Sequence, residues 1–108
     1  KGLVFPRKNI VDNEGIEIAN NLKNNQILER MELEGNQIGP KTLKKIAELL
    51  LINSTLRTID LEGNDLTHEG KDTSGIEDLA KSLCENTTLL CLNLSNTKLN
   101  EKCSEALE

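Results

Sequence analysis

Aromatic residues are nearly absent: 108 residues hold one Phe and no Trp or Tyr, so aliphatic side chains must fill any core. Long apolar runs are missing too. The longest, ending at Ile52, is a few residues where a membrane-spanning helix needs about 20, which excludes a transmembrane helix. The three cysteines, Cys84, Cys91 and Cys103, are an odd number with no C-x-x-C pair, which argues against a disulfide framework and a zinc ribbon. Reduced thiols fit an intracellular, cytoplasmic location, and no charged-then-apolar leader opens the sequence. Positive charge is short: 13 basic against 18 acidic residues give a net charge of −5, which disfavours nucleic acid, since phosphate contacts need a clustered basic face. A protein partner with a basic surface is the expected complement.

What the chain has in abundance is repetition. MELEGNQI begins at Met31 and IDLEGNDL at Ile59, 28 residues later. The same step carries Leu3, Phe5, Ile10, Ile18, Ala19, Leu22, Asn25 and Leu28 onto Met31, Leu33, Ile38, Ile46, Ala47, Leu50, Asn53 and Leu56 without a gap. From Ile59 to Leu92 the step is 33, and the five extra residues fall in or near HEGKDTSG, 68–75. Periods of roughly 20–50 residues mark arrays in which one supersecondary unit stacks on the next.

Each unit has two halves with different periods. LERMELEGN alternates about Met31 and Leu33, as a strand with one buried face does, while KTLKKIAELLLIN spaces Leu43, Ile46, Ala47 and Leu50 as one helix face. Pro40 suits a first helical turn, Ser74 with Glu77 reads as a capping box, and Asn25, Asn53 and Asn86 stand where a left-handed residue could end each helix.

The pattern L-x-x-L-x-L-x-x-N-x-I/L, carried by Leu28, Met31, Leu33, Asn36, Ile38 and again by Leu56, Ile59, Leu61, Asn64, Leu66, resembles the leucine-rich repeat. A 28-residue period with a full helix resembles its ribonuclease-inhibitor-like class. The resemblance covers essentially the whole chain and implies an α/β solenoid: a right-handed βα superhelix with a parallel concave sheet and outer helices. The expected units are about 1–27, 28–55 and 56–88, a partial fourth at 89–108, and an insertion loop at 68–75. Both ends read as cut, so neighbouring repeats of a longer parent chain are expected.

Asn36 and Asn64 are expected to turn inward and satisfy backbone groups where the chain leaves the strand. Lys8 and Thr97 occupy the same position; Thr can supply part of that bonding and Lys cannot accept, so the first turn should be irregular. Strand alternation turns Arg30, Glu32 and Glu34 to the face opposite the core, with Thr58, Asp60 and Glu62 beside them. At a strand spacing of about 4.8 Å, Glu32 should lie beside Asp60 and Glu34 beside Glu62. Like charges about 5 Å apart in water repel by about 0.8 kcal/mol, which a folded array tolerates. The plain reading is that these positions must be polar and that a duplicated repeat copies its acids. The functional reading is a docking patch for Lys and Arg side chains, tuned by Arg30 and Arg57 and bordered by Cys91 and Asn93; a weak divalent-cation site is a distant third.

Other signals carry less. DLEGNDLTHEGK places Asp65 and Lys71 where a calcium loop needs Gly and Glu, and Gly63 and Gly70 are too far apart for a phosphate loop. His68 is the only histidine, with no nucleophile or oxyanion site evident around it, and Cys91 has no cationic neighbour in sequence to activate it. No catalytic residue, cofactor or metal is expected. Asn53, Asn86 and Asn93 head N-x-S/T triplets, two of them at helix ends, and no sugar is expected on them. The sequence therefore reads as a non-catalytic scaffold for a protein partner. The alternatives are a regulator of an enzyme, in the manner of ribonuclease inhibitors or small-GTPase activators, and a cytoskeletal capping module.

Overall fold

A computed structural model describes residues 2–23, 25–100 and 103. Three strand–helix units and a fourth strand alternate along the chain: β1 (Gly2–Val4), α1 (Asp12–Leu22), β2 (Arg30–Glu32), α2 (Pro40–Ile52), β3 (Thr58–Asp60), α3 (Ser74–Glu85) and β4 (Cys91–Asn93). The strands form one parallel sheet in the order β1-β2-β3-β4. Leu3, Met31, Ile59 and Leu92 lie side by side, which is the register that the sequence repeat demands.

The core lies between sheet and helices. Met31, Leu33, Leu43, Ile46, Leu50, Leu56, Ile59, Leu61 and Leu79 are all at most 2% exposed, while the same repeat positions in the outer strands, Leu3 and Leu92, are half-buried. Close helix approach depends on two glycines. A Cβ at Gly15 would sit 2.6 Å from Thr42 Oγ1, and one at Gly75 would sit 3.0 Å from Pro40 O.

Capping follows a different plan from the one the sequence suggests. Pro40 does open α2, where its missing N–H costs nothing. The Asp12 carboxylate, one coil back, accepts the N–H groups of Gly39 (2.8 Å) and Thr42 (3.2 Å) and the Thr42 hydroxyl, so the previous coil caps this helix. The expected Ser74–Glu77 box does not form. Thr73 is the N-cap and its hydroxyl donates to Glu77 Oε2 at 2.8 Å, while the Ser74 N–H and hydroxyl both turn to Asp72.

The expectation of left-handed helix ends is likewise corrected. Asn53 (φ −75°, ψ 134°) and Asn86 (φ −81°, ψ 129°) are extended, and Asn25 lies beyond the cap residue Lys23. These asparagines recur for their side chains. Asn53 Oδ1 accepts from Thr55 and Leu56 N–H, both at 2.8 Å, and Nδ2 donates back to Leu22 O and Asn25 O of the preceding coil. Asn86 repeats the arrangement onto Leu50 O and Asn53 O.

A second ladder runs where the chain leaves the strands, as expected for Asn36 and Asn64. Asn36 Oδ1 accepts from Lys8 and Ile10 N–H and its Nδ2 donates to Phe5 O and Leu33 O. Asn64 accepts from Ile38 N–H and donates to Leu33 O and Leu61 O. At the last rung the Thr97 hydroxyl donates to Leu94 O of its own repeat, and the tie to the preceding one passes through the backbone, where Thr97 O accepts from Leu66 N–H at 3.3 Å. The insertion folds compactly: Asp65 accepts from Thr67 and Glu69 N–H, and the Thr67 hydroxyl donates to Lys98 O at 2.6 Å.

Candidate functional site

The sheet face turned away from the helices carries the repeated acids. Register sets Glu32 beside Asp60, and continued pairing (Leu33 N–H to Asp60 O at 2.9 Å, Gly35 N–H to Glu62 O at 2.8 Å) brings Glu34 beside Glu62. All four side chains are half-buried, so the patch is set into the sheet rather than standing clear of it.

Their partners differ. Glu32 pairs with Arg30 at 3.2 Å, Asp60 Oδ1 accepts the Glu62 N–H at 3.0 Å, and Glu62 Oε1 accepts from Asn93 Nδ2 at 3.1 Å. Glu34 is the exception. Its Oε1 is shut off from solvent and has no hydrogen-bond donor among the described residues. A carboxylate oxygen without water or a donor is a costly arrangement, relieved by any donor that reaches it.

An open cleft lies on the same face. A cleft of about 260 Å³ lies against Glu34 and Glu62, with Gly35 and Gly63 on its floor and Arg7 and Asn96 at its ends. Those last four are one structural position in successive coils, a left-handed turn with φ of 52° (Arg7), 70° (Gly35), 76° (Gly63) and 56° (Asn96). Glycine takes this conformation without strain, and the space that a side chain at Gly35 would take is filled by Arg7, whose Cγ would lie 2.9 Å from an added Cβ. Among the described residues Arg7 makes no ion pair with either acid, although its Cγ is packed against Gly35.

The other expected site residues are placed as follows. Cys91 is exposed and in register with Thr58, while Asn93 lies beside Asp60 and is bonded to Glu62. Arg57 precedes β3, and its guanidinium donates to Thr88 O at 3.3 Å. Arg30 is committed to Glu32, leaving a narrower centre on Glu34, Asp60 and Glu62. Asn36 and Asn64 are buried structural residues, 5% and 1% exposed. His68 is exposed on the insertion loop. Among the described residues no three His, Cys, Asp or Glu side chains are gathered as for a metal. Sequence reasoning passed over Arg7 and Asn96, although both stand at the Gly35 position under steps of 28 and 33.

The fold has a counterpart among solved structures. The chain matches the solved structure titled "Leiomodin-1 Actin-Binding Site 2 (ABS2)" with a TM-score of 0.81 and 25% identity, over 99% of its own length. The fold is leucine-rich-repeat-like. The chain spans 59% of that neighbour's length. No protein-family profile and no curated protein matches the sequence. Among the described residues, no helix of this repeat-like fold is long and apolar enough to cross a membrane.

Proposed function

We propose that the chain is a non-catalytic protein-binding module. In this reading it is a short scaffold, a right-handed βα solenoid of the ribonuclease-inhibitor-like class, whose open sheet face takes Lys or Arg side chains of a cytoplasmic protein. The observation that carries it is the Glu34–Glu62 cleft, where a sheltered carboxylate oxygen lacks a donor beside a second carboxylate over a glycine floor. Two acids per coil are also what a plain duplication would copy. The unpaired oxygen favours the docking reading, because inheritance of the acids does not require a sheltered carboxylate oxygen left without a donor. The 28-residue step with a full helix in each coil supports the class, and neighbouring repeats of a longer parent chain would extend the same face.

The test compares proteins captured from cytosol by the chain and by a variant with Glu32, Glu34, Asp60 and Glu62 all changed to Lys, after circular dichroism shows equal helix content. Loss of a basic partner from the variant alone supports the docking face. Equal capture by both removes it.

A second reading is favoured by the neighbour's title: this chain too is a cytoskeletal module, and its partner is actin. Co-sedimentation with filaments and binding to fluorescently labelled monomers test it. Saturable binding supports actin, and none at concentrations well above those of the assay protein turns attention to the enzyme-regulator alternative.

A further inference from the structure

The cleft against Glu34 and Glu62 has two seats, one filled and one open. The Arg7 side chain lies over Gly35: a Cβ added there would meet Arg7 Cγ at 2.9 Å, Nη1 at 3.2 Å and Cζ at 3.7 Å. Over Gly63, one coil on, an added Cβ would meet only the Gly35 backbone besides its own chain neighbours, N at 3.5 Å and Cα at 3.6 Å. No other side chain covers that second position among the described residues.

Arg7 is joined to the acid row through its main chain, since its N–H donates to Glu34 O at 3.0 Å. It keeps a left-handed φ of 52° where the next two coils have glycine. Its side chain is turned into the array, onto the second coil, and it lines the same cleft as both acids. Yet among the described residues it makes no ion pair with either carboxylate. A guanidinium with five donors therefore stands beside two acids with its charge uncommitted.

Charge decides what the open seat accepts. A Lys or Arg side chain entering over Gly63 comes within one strand spacing, about 4.8 Å, of the seat that Arg7 fills. Glu34 and Glu62 attract it, and Glu62 keeps Oε2 for it, because Oε1 takes the Asn93 amide. Arg7 repels a second cation on that side and favours an anion, since its forked donors match a carboxylate. The cleft is bipolar.

We infer that Arg7 sets the selectivity of the open sheet face: the partner segment presents a Lys or Arg side chain over Gly63 with an Asp or Glu carboxylate beside it on Arg7, rather than a run of basic residues. This rests on the reading of that face as a docking surface and narrows it. The plainer role for Arg7 is to cover Gly35 and no more. In that case its charge has no effect on which segment binds.

Three capped pentapeptides separate the two roles: Gly-Lys-Gly-Asp-Gly, Gly-Lys-Gly-Asn-Gly and Gly-Lys-Gly-Lys-Gly. Their second and fourth side chains lie on one side of an extended chain, about 6.6 Å apart. Each is titrated at low ionic strength, where screening is least, into the ¹⁵N-labelled chain and into its Arg7→Gln variant, with binding read at the Gly35 and Gly63 amides. Agreement of the remaining amide spectrum shows that the variant keeps its fold. In the parent the Asp peptide should bind about three- to fivefold tighter than the Asn peptide, the size of one exposed ion pair, and the Lys peptide no tighter than the Asn peptide. In Arg7→Gln the advantage of Asp should vanish and the Lys peptide should bind tightest. Equal binding of the Asp and Asn peptides by the parent, or the same order of affinities in parent and variant, overturns the inference and leaves the docking face standing. If none of the three shifts either glycine in the parent, the docking face falls and the inference with it.

Discussion

Asn64 is 1% exposed in the middle of the molecule, and replacing it tests whether the coils are joined by specific amide bonds or only by apolar packing. Asn64→Ala leaves the Ile38 N–H, now bonded to Oδ1 at 3.2 Å, without a partner, at a cost of about 1–3 kcal/mol. Leu33 O keeps its bond from Asn36, and Leu61 O keeps a long one from the Asn64 backbone, so these two acceptors are weakened rather than orphaned. With a small cavity added, the expected loss is about 2–4 kcal/mol, a large share of the roughly 5–15 kcal/mol a domain of this size has. Urea unfolding should show the midpoint falling by about 1–2 M with little change in slope. Asn64→Asp is the sharper variant. It keeps the size and the acceptor but sets a second carboxylate oxygen about 3 Å from two carbonyl oxygens, so it should cost at least as much as Ala. A near-neutral Asp variant would refute the ladder account and leave shape alone as the cause.

Three further outcomes follow from local geometry. Gly15→Ala gains about 1 kcal/mol of helix propensity but drives a Cβ to 2.6 Å from Thr42 Oγ1, so a thermal melt should show net destabilisation of about 1–2 kcal/mol. Arg7 holds a left-handed conformation (φ 52°) that Gly35 and Gly63 adopt in the next coils, and Arg7→Gly should raise stability by up to about 1 kcal/mol by the same melt. Hydrogen bonds from the Ser74 hydroxyl and N–H hold the Asp72 carboxyl below its usual range; its contribution is therefore present above about pH 4 and is lost as pH falls through the lowered value. Acid unfolding of Asp72→Asn should show a shallower decline of stability below about pH 4 than the parent shows.

The apolar repeat made the strand register, the helix positions and the core readable, because a residue that returns every 28 positions on one face has to be buried by its neighbours. The open-face row of Glu32, Glu34, Asp60 and Glu62 was readable for the same reason, through strand alternation. Helix ends were read wrongly where the partner belongs to another coil. The sequence around Ser74 gives a good local box, but Asp72 is nearer to the Ser74 hydroxyl, and Asn53 serves Leu22 O, 31 residues away, rather than its own helix end. The state of Glu34 was beyond reach, since the burial of one oxygen depends on packing between strands that alternation along one strand does not report. Arg57, expected to tune the patch as a neighbour, precedes β3 and donates to Thr88 O, a contact that strand alternation does not report.

The central claim is that a protein docks on the open face of the sheet. Its most direct test places a photo-crosslinking residue at Thr58, in the middle of that face, or at exposed Lys41 on α2, and irradiates each variant in cytosolic extract and with purified actin. The account predicts a discrete adduct with one protein from position 58, lost when Glu34 and Glu62 are changed to Lys, and none from position 41. An adduct from position 41 with nothing from position 58 would contradict it and move the binding surface to the helices.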